Sequence, residues 1–592
     1  MSDDVDALLT LSRAYLPLPD PAGGTVFAAD LTGHGQVYRQ AGPDRFPERL
    51  AGGRYRTLPV AHTPLGLLCR QDHDGDERWQ LGFVEGARFR QVTRDDRAIH
   101  RDVQVEASGR SAIAVTNPDG QSDWVVIRID LTTGATTRLL DRGGFWSCLG
   151  LLAGGEVVVA EHAGSLRNRA YVLDAEGGLR PLLPQARAVT AVCAAERCLV
   201  AADLGGGFIG LHEVDPAHPA EVVRTLFGEP HDVEAVVADP SGKRAALVVN
   251  AGAYDRLLTL GVSTGIVEDV TTPWPGVVYG DNVSSPDHQV AWLPDGNLLV
   301  AWESSTHPAE LWELPVRPQG AAPRAWTHAS GALPEGLVEP EEITVQGFQG
   351  LPVPALLFPS RAQRPAGAPR TTVVYFHGGP EGQTRGSFIP QLQMWLCAGY
   401  DVLAPNVRGS TGYGFAFAGL DDREKRWDAV RDGVALGRWV KDSGDADRLV
   451  AMGGSYGGFM TLAVLVEAPE LWDAAVDVVG IADWHSFFRN TSGWRRAQRA
   501  SEYGDPLREP DGTFLAEFSP LRRADRIRAQ LLVIHGRNDP RVPVGEATQI
   551  AQAVPGSELL ILEDEGHGIA RAQNRSRAYG RALRFVTERV SA

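Results

Sequence analysis

Ser455 stands in the string Gly453-Gly454-Ser455-Tyr456-Gly457, a G-x-S-x-G pattern inside AMGGSYGGFM. A serine hydroxyl at its free pKa attacks carbonyl carbons poorly, and it needs a base in hydrogen-bond reach and a carboxylate to orient that base. Both residue types follow downstream, each after an apolar run: Asp539 after LLVIHGRN and His567 after LLILEDEG. Taken singly, each has a plainer reading. The glycines make a turn, Asp539 caps the helical segment VPVGEATQIAQAV, and His567 is a loop histidine. Taken together, a serine, an acid and a base at three apolar-run ends describe a nucleophilic hydrolase: Ser455 attacks, His567 moves the proton and Asp539 orients His567.

The same residues dictate local structure. Leu449 to Met452 reads as a buried strand and the stretch from Gly458 as a helix, so Ser455 falls on a strand-to-helix elbow whose small neighbours let the helix pass close to the strand. The order Ser, Asp, His is that of the α/β-hydrolase fold. Such a site stabilises the tetrahedral oxyanion with backbone N–H groups. One is expected from Tyr456, the other from Gly379 in HGGP, where no Cβ blocks the approach. His377 of that motif is not the base, since the base of this fold follows the acid; a structural or substrate-lining role is expected.

Positioning these residues requires an α/β domain, and residues 341–592 alternate strand-like runs (RTTVVYFHGG, DVLAPNVRG, DRLVAMGG, LLVIHGRND) with amphipathic helical segments. That alternation predicts a mostly parallel, doubly wound sheet with helices on both faces. The first 315 or so residues follow another grammar, short β-type runs separated by turn signals. One unit recurs, marked by Val37, Leu81, Ile127, Val172, Leu211, Leu258 and Trp312, at the spacing of four-stranded blades. The prediction is a β-propeller of about seven blades over 21–320, with a β-sandwich or two stacked β-domains as the alternative. Residues 1–20 form an N-terminal segment that could pack on the hydrolase domain, and the Pro/Gly/Ala-rich 321–340 a linker. The acidic run DHDGDE from Asp72 resembles a calcium loop but has its glycine at the wrong position, and is read as an inter-strand turn.

Composition narrows the partners. A chain of 592 residues with 43% hydrophobic and 22% charged residues is globular and multidomain, and its net charge of −17 opposes a nucleic-acid partner. No apolar run approaches the length of a membrane span, and MSDDVDALLT lacks a basic, apolar signal segment, so a cytoplasmic protein with no membrane partner is expected. Five sparse cysteines, Cys69, Cys148, Cys193, Cys198 and Cys397, read as free thiols. The chemistry requires no metal or organic cofactor. Edges of either domain could pair subunits into a homo-oligomer, though no residue pattern specifies one.

HGGP, NVRGSTGYG (Asn406 to Gly414), GGSYGG, HGRNDPRVP and EGHG together resemble the prolyl oligopeptidase family of serine peptidases, in particular its acylaminoacyl-peptidase-like branch. The resemblance implies a cavity between propeller and hydrolase that admits peptides and excludes folded proteins. Dipeptidyl members hold the substrate amine with a glutamate pair from the propeller; the adjacent pair here, Glu341 and Glu342, lies in the hinge strand, a departure that counts against that activity. Arg541 matches a position where some members hold a substrate carbonyl. The most individual segment, Asp483 to Pro506, offers Phe487, Phe488 and Trp494 as apolar lining and Arg495, Arg496 and Arg499 as cations. Guanidinium groups grip carboxylates in bidentate fashion, so a carboxypeptidase with an arginine clamp is one alternative; salt bridges to Glu502 or Asp505 are the plainer use of these arginines. An esterase with the same triad is the other alternative.

Overall fold

The computed structural model describes residues 3–51, 53–86, 88–280, 286–317, 321–364 and 367–590; residues 1, 2 and 318–320 of the expected segments lie outside these. From Ala14 to Ala325 the described chain builds seven consecutive antiparallel sheets, six of four strands and a seventh of five. Each recurring marker, from Val37 to Trp312, lies on the third strand along its own sheet. The recurrence in the sequence is therefore the recurrence of a blade, whose inner strands, such as Cys198–Asp203 and Leu298–Ser304, are buried on both faces, while glycine turns such as Asp295-Gly296 (φ +87° at the glycine) reverse the chain.

The ring closes through side chains. Tyr15, Phe27 and Leu58 of the first two blades share a core with Leu299, Ala301 and Leu311 of the seventh. Gln289 Oε1 accepts from the Leu16 N–H at 2.8 Å, and Gln40 Nε2 donates to the Trp326 backbone carbonyl at 2.6 Å. Both propeller boundaries shift from their expected places. The first blade starts at Ala14, inside 1–20, and the last edge strand, Arg324–Ala325, lies inside 321–340. That two-residue edge strand is too short to leave a period-2 pattern in the sequence.

The second domain carries one eight-stranded sheet: β1 (Glu341–Gln346), β2 (Pro352–Phe358), β3 (Thr371–Phe376), β4 (Asp401–Pro405), β5 (Arg448–Gly454), β6 (Ala474–Val478), β7 (Gln530–Gly536) and β8 (Glu558–Leu562). Their spatial order is β1-β2-β4-β3-β5-β6-β7-β8, antiparallel through the first three strands and parallel from β4 onward. The central strands are apolar on both faces because each face supports its own core. The helix Tyr456–Glu467 is buried from Tyr456 to Val466, which explains why it is apolar all round. Beneath the opposite face, Val5, Leu8 and Leu9 of the helix Asp3–Thr10 pack with Leu392, Trp395, Leu583 and Val586, so this helix rests on the hydrolase ahead of the propeller. No helix among the described residues is long and apolar enough to cross a membrane.

Parallel strands leave all their C-terminal ends on one side, where an α/β sheet places its ligands. Here the ends of β3, β5, β7 and β8 face the propeller ring. Loops of both domains enclose a cavity of about 460 Å³, lined by Asp72, Glu77, Trp79 and Glu303 of the propeller and by Phe388, Arg541, His567 and Arg571 of the hydrolase.

Candidate active site

Ser455 connects β5 to the helix Tyr456–Glu467 with φ 59° and ψ −118°, a conformation a residue bearing a Cβ adopts only when its surroundings hold it there. The surroundings are glycines at van der Waals contact with other backbone. A Cβ on Gly457 would overlap the Phe376 carbonyl and lie 2.8 Å from that of His377; on Gly453 it would overlap the Gly457 carbonyl; on Gly458 it would lie 2.6 Å from Gly480 Cα. The glycine string is thus required by close packing of β3, β5 and the helix.

The structure brings Ser455, His567 and Asp539 together. His567 Nε2 lies 2.9 Å from Ser455 Oγ, and His567 Nδ1 lies 2.7 Å from Asp539 Oδ2. A carboxylate only accepts, so Nδ1 carries the proton and Nε2 is left to take that of the serine. Asp539 Oδ1 accepts from the Arg541 and Val542 N–H groups at 2.8 and 2.9 Å. Burial opposes the charge on Asp539, but the charge and hydrogen bond of His567, with His535 and the Val542 amide, outweigh it and hold the carboxyl below its usual range. A hydroxyl, an imidazole and an ionised acid in this relay can move a proton off Ser455 as it attacks.

Tyr456 opens its helix, and the N–H groups of a first helical turn have no partner within the helix. Across from it runs the end of β3: a Cβ on Gly378 would lie 3.6 Å from Ser455 Cβ. Gly379 follows at φ 142°, and the Tyr503 hydroxyl donates to its carbonyl at 3.2 Å, which fixes the tilt of that peptide. His377 is buried, with Nδ1 2.8 Å from the Gly378 carbonyl and Nε2 2.9 Å from Ser410 Oγ. It braces the HGGP turn, and burial lowers its pKa despite the hydrogen bond to Gly378.

The segment Asp483 to Pro506 departs from its expected use. Phe487 and Phe488 are each 2% exposed and pack with Trp484 and Tyr503 in the hydrolase core, so they present no open wall. Trp494 stacks on Phe145 and meets Trp124 edge-on, both propeller residues, and so forms part of the contact between domains. Arg499 is paired on both sides, with Glu381 at 2.7 Å and Glu502 at 2.6 Å, and also donates to Ser165 at 3.1 Å. Burial and the neighbouring Glu381 push the Glu502 carboxyl well up; Glu381 stays below its usual value against burial through its hydrogen bond with Glu502 and the charge of Arg499. Arg496 donates to the Arg489 carbonyl at 3.1 Å. Arg495 lies 5.6 Å over the Trp494 ring, where burial and the cations Arg541 and Arg499 lower its pKa. Arg541 pairs with Glu77 at 2.8 Å.

Glu77, Glu381 and Tyr503 escaped the sequence reading because their partners lie more than 100 residues away. The one local signal was the acidic run holding Glu77. Glu341 and Glu342 lie on edge strand β1 and are exposed.

Comparison with known proteins agrees with this geometry. The model of the prolyl oligopeptidase family matches residues 387–592. Dipeptidyl aminopeptidase BIII of Pseudoxanthomonas mexicana is 35% identical over 243 residues, 38% of this chain and 33% of that protein. Acylamino-acid-releasing enzyme 1 of Oryza sativa subsp. japonica is 28% identical over 229 residues, 35% of this chain and 28% of that protein. This chain thus aligns with about a third of the length of these relatives. Among solved structures, a puromycin-hydrolyzing peptidase of Mycobacterium tuberculosis superposes with a TM-score of 0.85 at 21% identity, covering 100% of this chain and 96% of that one. An acylaminoacyl peptidase of Pyrococcus horikoshii gives 0.70 at 17% identity, covering 99% and 97%. At such identities the likeness is one of fold, a seven-bladed propeller joined to an α/β-hydrolase domain. The family match lies within the C-terminal domain, and over residues 387–592 this chain is similar to the prolyl oligopeptidase family.

Proposed function

We propose that this protein is a serine peptidase that hydrolyses short peptides through an acyl-enzyme, as an acylaminoacyl-peptidase-like exopeptidase. The observation that carries the reading is the unbroken relay from Ser455 Oγ through His567 to Asp539, at 2.9 and 2.7 Å. Ser455 attacks the scissile carbonyl while His567 Nε2 takes its proton, and Asp539 steadies the imidazolium that forms. The N–H groups of Tyr456 and Gly379 donate hydrogen bonds to the carbonyl oxygen as negative charge develops on it. His567 returns its proton to the leaving amine, the acyl-enzyme forms, and water activated by the same imidazole releases the acid.

The propeller over the strand ends supports a size filter, since a cavity of about 460 Å³ suits a few residues of extended chain and not a folded protein. Relatives named as an aminopeptidase and an acylamino-acid-releasing enzyme support amide over ester substrates. The carboxypeptidase reading loses its strongest residue, because Arg499 is already neutralised by Glu381 and Glu502. The test compares wild type with Ser455→Ala, using fluorophosphonate labelling and one peptide in free, N-acetylated and C-amidated forms beside matched acetyl-amino-acid esters. Labelling and amide cleavage are expected in wild type alone, with cleavage best on the N-acetylated form. Turnover confined to esters would replace the peptidase with an esterase, and loss of cleavage on amidation would restore the carboxypeptidase.

A further inference from the structure

The acidic run DHDGDE, Asp72 to Glu77, joins the strands Gly66–Gln71 and Gln80–Glu85 of the second blade. It lies against both loops that carry the acid and the base. A Cβ on Gly75 would lie 2.6 Å from the Gly566 nitrogen and 3.0 Å from its Cα, while one on Gly566 would overlap the Gly75 carbonyl. One on Gly536, at the end of the strand leading to Asp539, would overlap the Gly566 carbonyl in turn. Three backbones therefore stack glycine on glycine, with propeller, base loop and acid loop in direct contact next to His567.

Side chains on either side fasten the stack. Asp74 pairs with Arg571 at 2.7 Å, four residues past His567, and its other oxygen with Arg54 at 2.6 Å. The Asp74 carbonyl accepts from Asn538, beside Asp539, at 3.3 Å. Glu77 pairs with Arg541, two residues past Asp539. The turn holds three residues at positive φ, Asp74 at 51°, Gly75 at 81° and Glu77 at 56°, a conformation that the non-glycine residues keep only when their contacts impose it.

We propose that this propeller turn is a positioning element for the acid–base pair: Gly75 braces the His567 loop by backbone contact, and Asp74 and Glu77 tie the His567 and Asp539 loops to the second blade. The assignment rests on the peptidase reading above. His567 must keep two partners in hydrogen-bond reach at once. A drift of one ångström at a reacting group costs about a hundredfold in rate. All three residues also line the cavity, so a positioning role is told apart from substrate binding by a fall in kcat and in Ser455 phosphonylation with KM little changed.

The experiment compares Gly75→Ala and Asp74→Asn with Gly86→Ala in the same blade, where the added methyl, also at positive φ, meets nothing within 4 Å. Active sites are counted by fluorophosphonate titration, so a smaller folded fraction does not enter kcat. Gly75→Ala is expected to lower kcat per titrated site and the phosphonylation rate constant together, by about tenfold or more, with KM within about twofold. Asp74→Asn is expected to lose about threefold or more in the same two quantities, and it carries the test if Gly75→Ala does not fold. Gly86→Ala is expected to change only the melting temperature. The proposal is overturned if Gly75→Ala and Asp74→Asn keep wild-type kcat and phosphonylation per site, or if Gly86→Ala falls as far. A wild-type chain that neither labels at Ser455 nor cleaves peptides overturns the peptidase reading first, and this assignment with it.

Discussion

The elbow around Ser455 and the segment Asp483 to Pro506 lie side by side, yet they use sequence in opposite ways. The elbow shows itself in one short string: Gly453, Gly457 and Gly458 are glycines because other backbones, among them that of β3, pass where their Cβ atoms would be. The segment is made by partners far along the chain, since Arg499 pairs with Glu381 and Trp494 docks on Phe145 and Trp124. A locally determined site keeps its reactive group available, whereas a segment held by distant partners has already committed its charges and rings.

The comparison breaks most sharply at the triad. Asp539→Asn should leave the fold intact and lower kcat by about 10⁴, because the amide cannot hold His567 with Nδ1 protonated toward it. Measured per fluorophosphonate-titrated site, a loss below tenfold would mean that the relay of 2.7 and 2.9 Å is not the working one.

The same contrast explains what could be read from the residues. Ser455, Asp539 and His567 announce themselves because each follows an apolar strand and the motif around each is local. The blades announce themselves because Val37, Leu81 and their successors repeat a turn-strand-turn unit. The roles of Phe487, Phe488 and Arg499 were misread because apolar and cationic residues beside a nucleophile look the same whether they face a substrate or the protein itself. Arg499 pairs with Glu502 as the plainer reading has it; only the fold brings Glu381 to Arg499, and Tyr503 to Phe487. The propeller boundaries slipped for a related reason, as Arg324–Ala325 becomes a strand only by pairing with the blade before it.

Arg499→Gln sharpens the comparison next. It would leave Glu381, with its side chain 9% exposed, without its cation, and Glu502, 5% exposed, with only Arg426 at 3.6 Å. Removing one partner of a buried ion pair costs about 3–5 kcal/mol, so the variant should unfold at markedly lower denaturant. If Arg499 instead served substrate carboxylates, stability would hold and KM for free-acid peptides would rise. Gly457→Ala should cost somewhat less, about 1–3 kcal/mol, since the methyl forces β3 away from the helix. Its activity should fall further than its stability, because the displaced residues are those beside Ser455.

The smallest effect is expected at Arg495. Among the described residues no carboxylate lies within ion-pair distance of it, in contrast to Arg499 and Arg541, so it is the arginine of this segment with most left to offer a substrate anion. Its guanidinium, however, lies over Trp494, which itself packs on the propeller, and two nearby cations already act against its charge. A site built to receive a carboxylate would aim two donors at one point; here the second cation, Arg541, is turned onto Glu77. Arg495→Gln should therefore change kcat/KM for a free-acid peptide and for its C-amide by the same small factor, about twofold or less. A tenfold change in the ratio of the two would show that the segment keeps one charge uncommitted, and the contrast with the elbow would no longer hold.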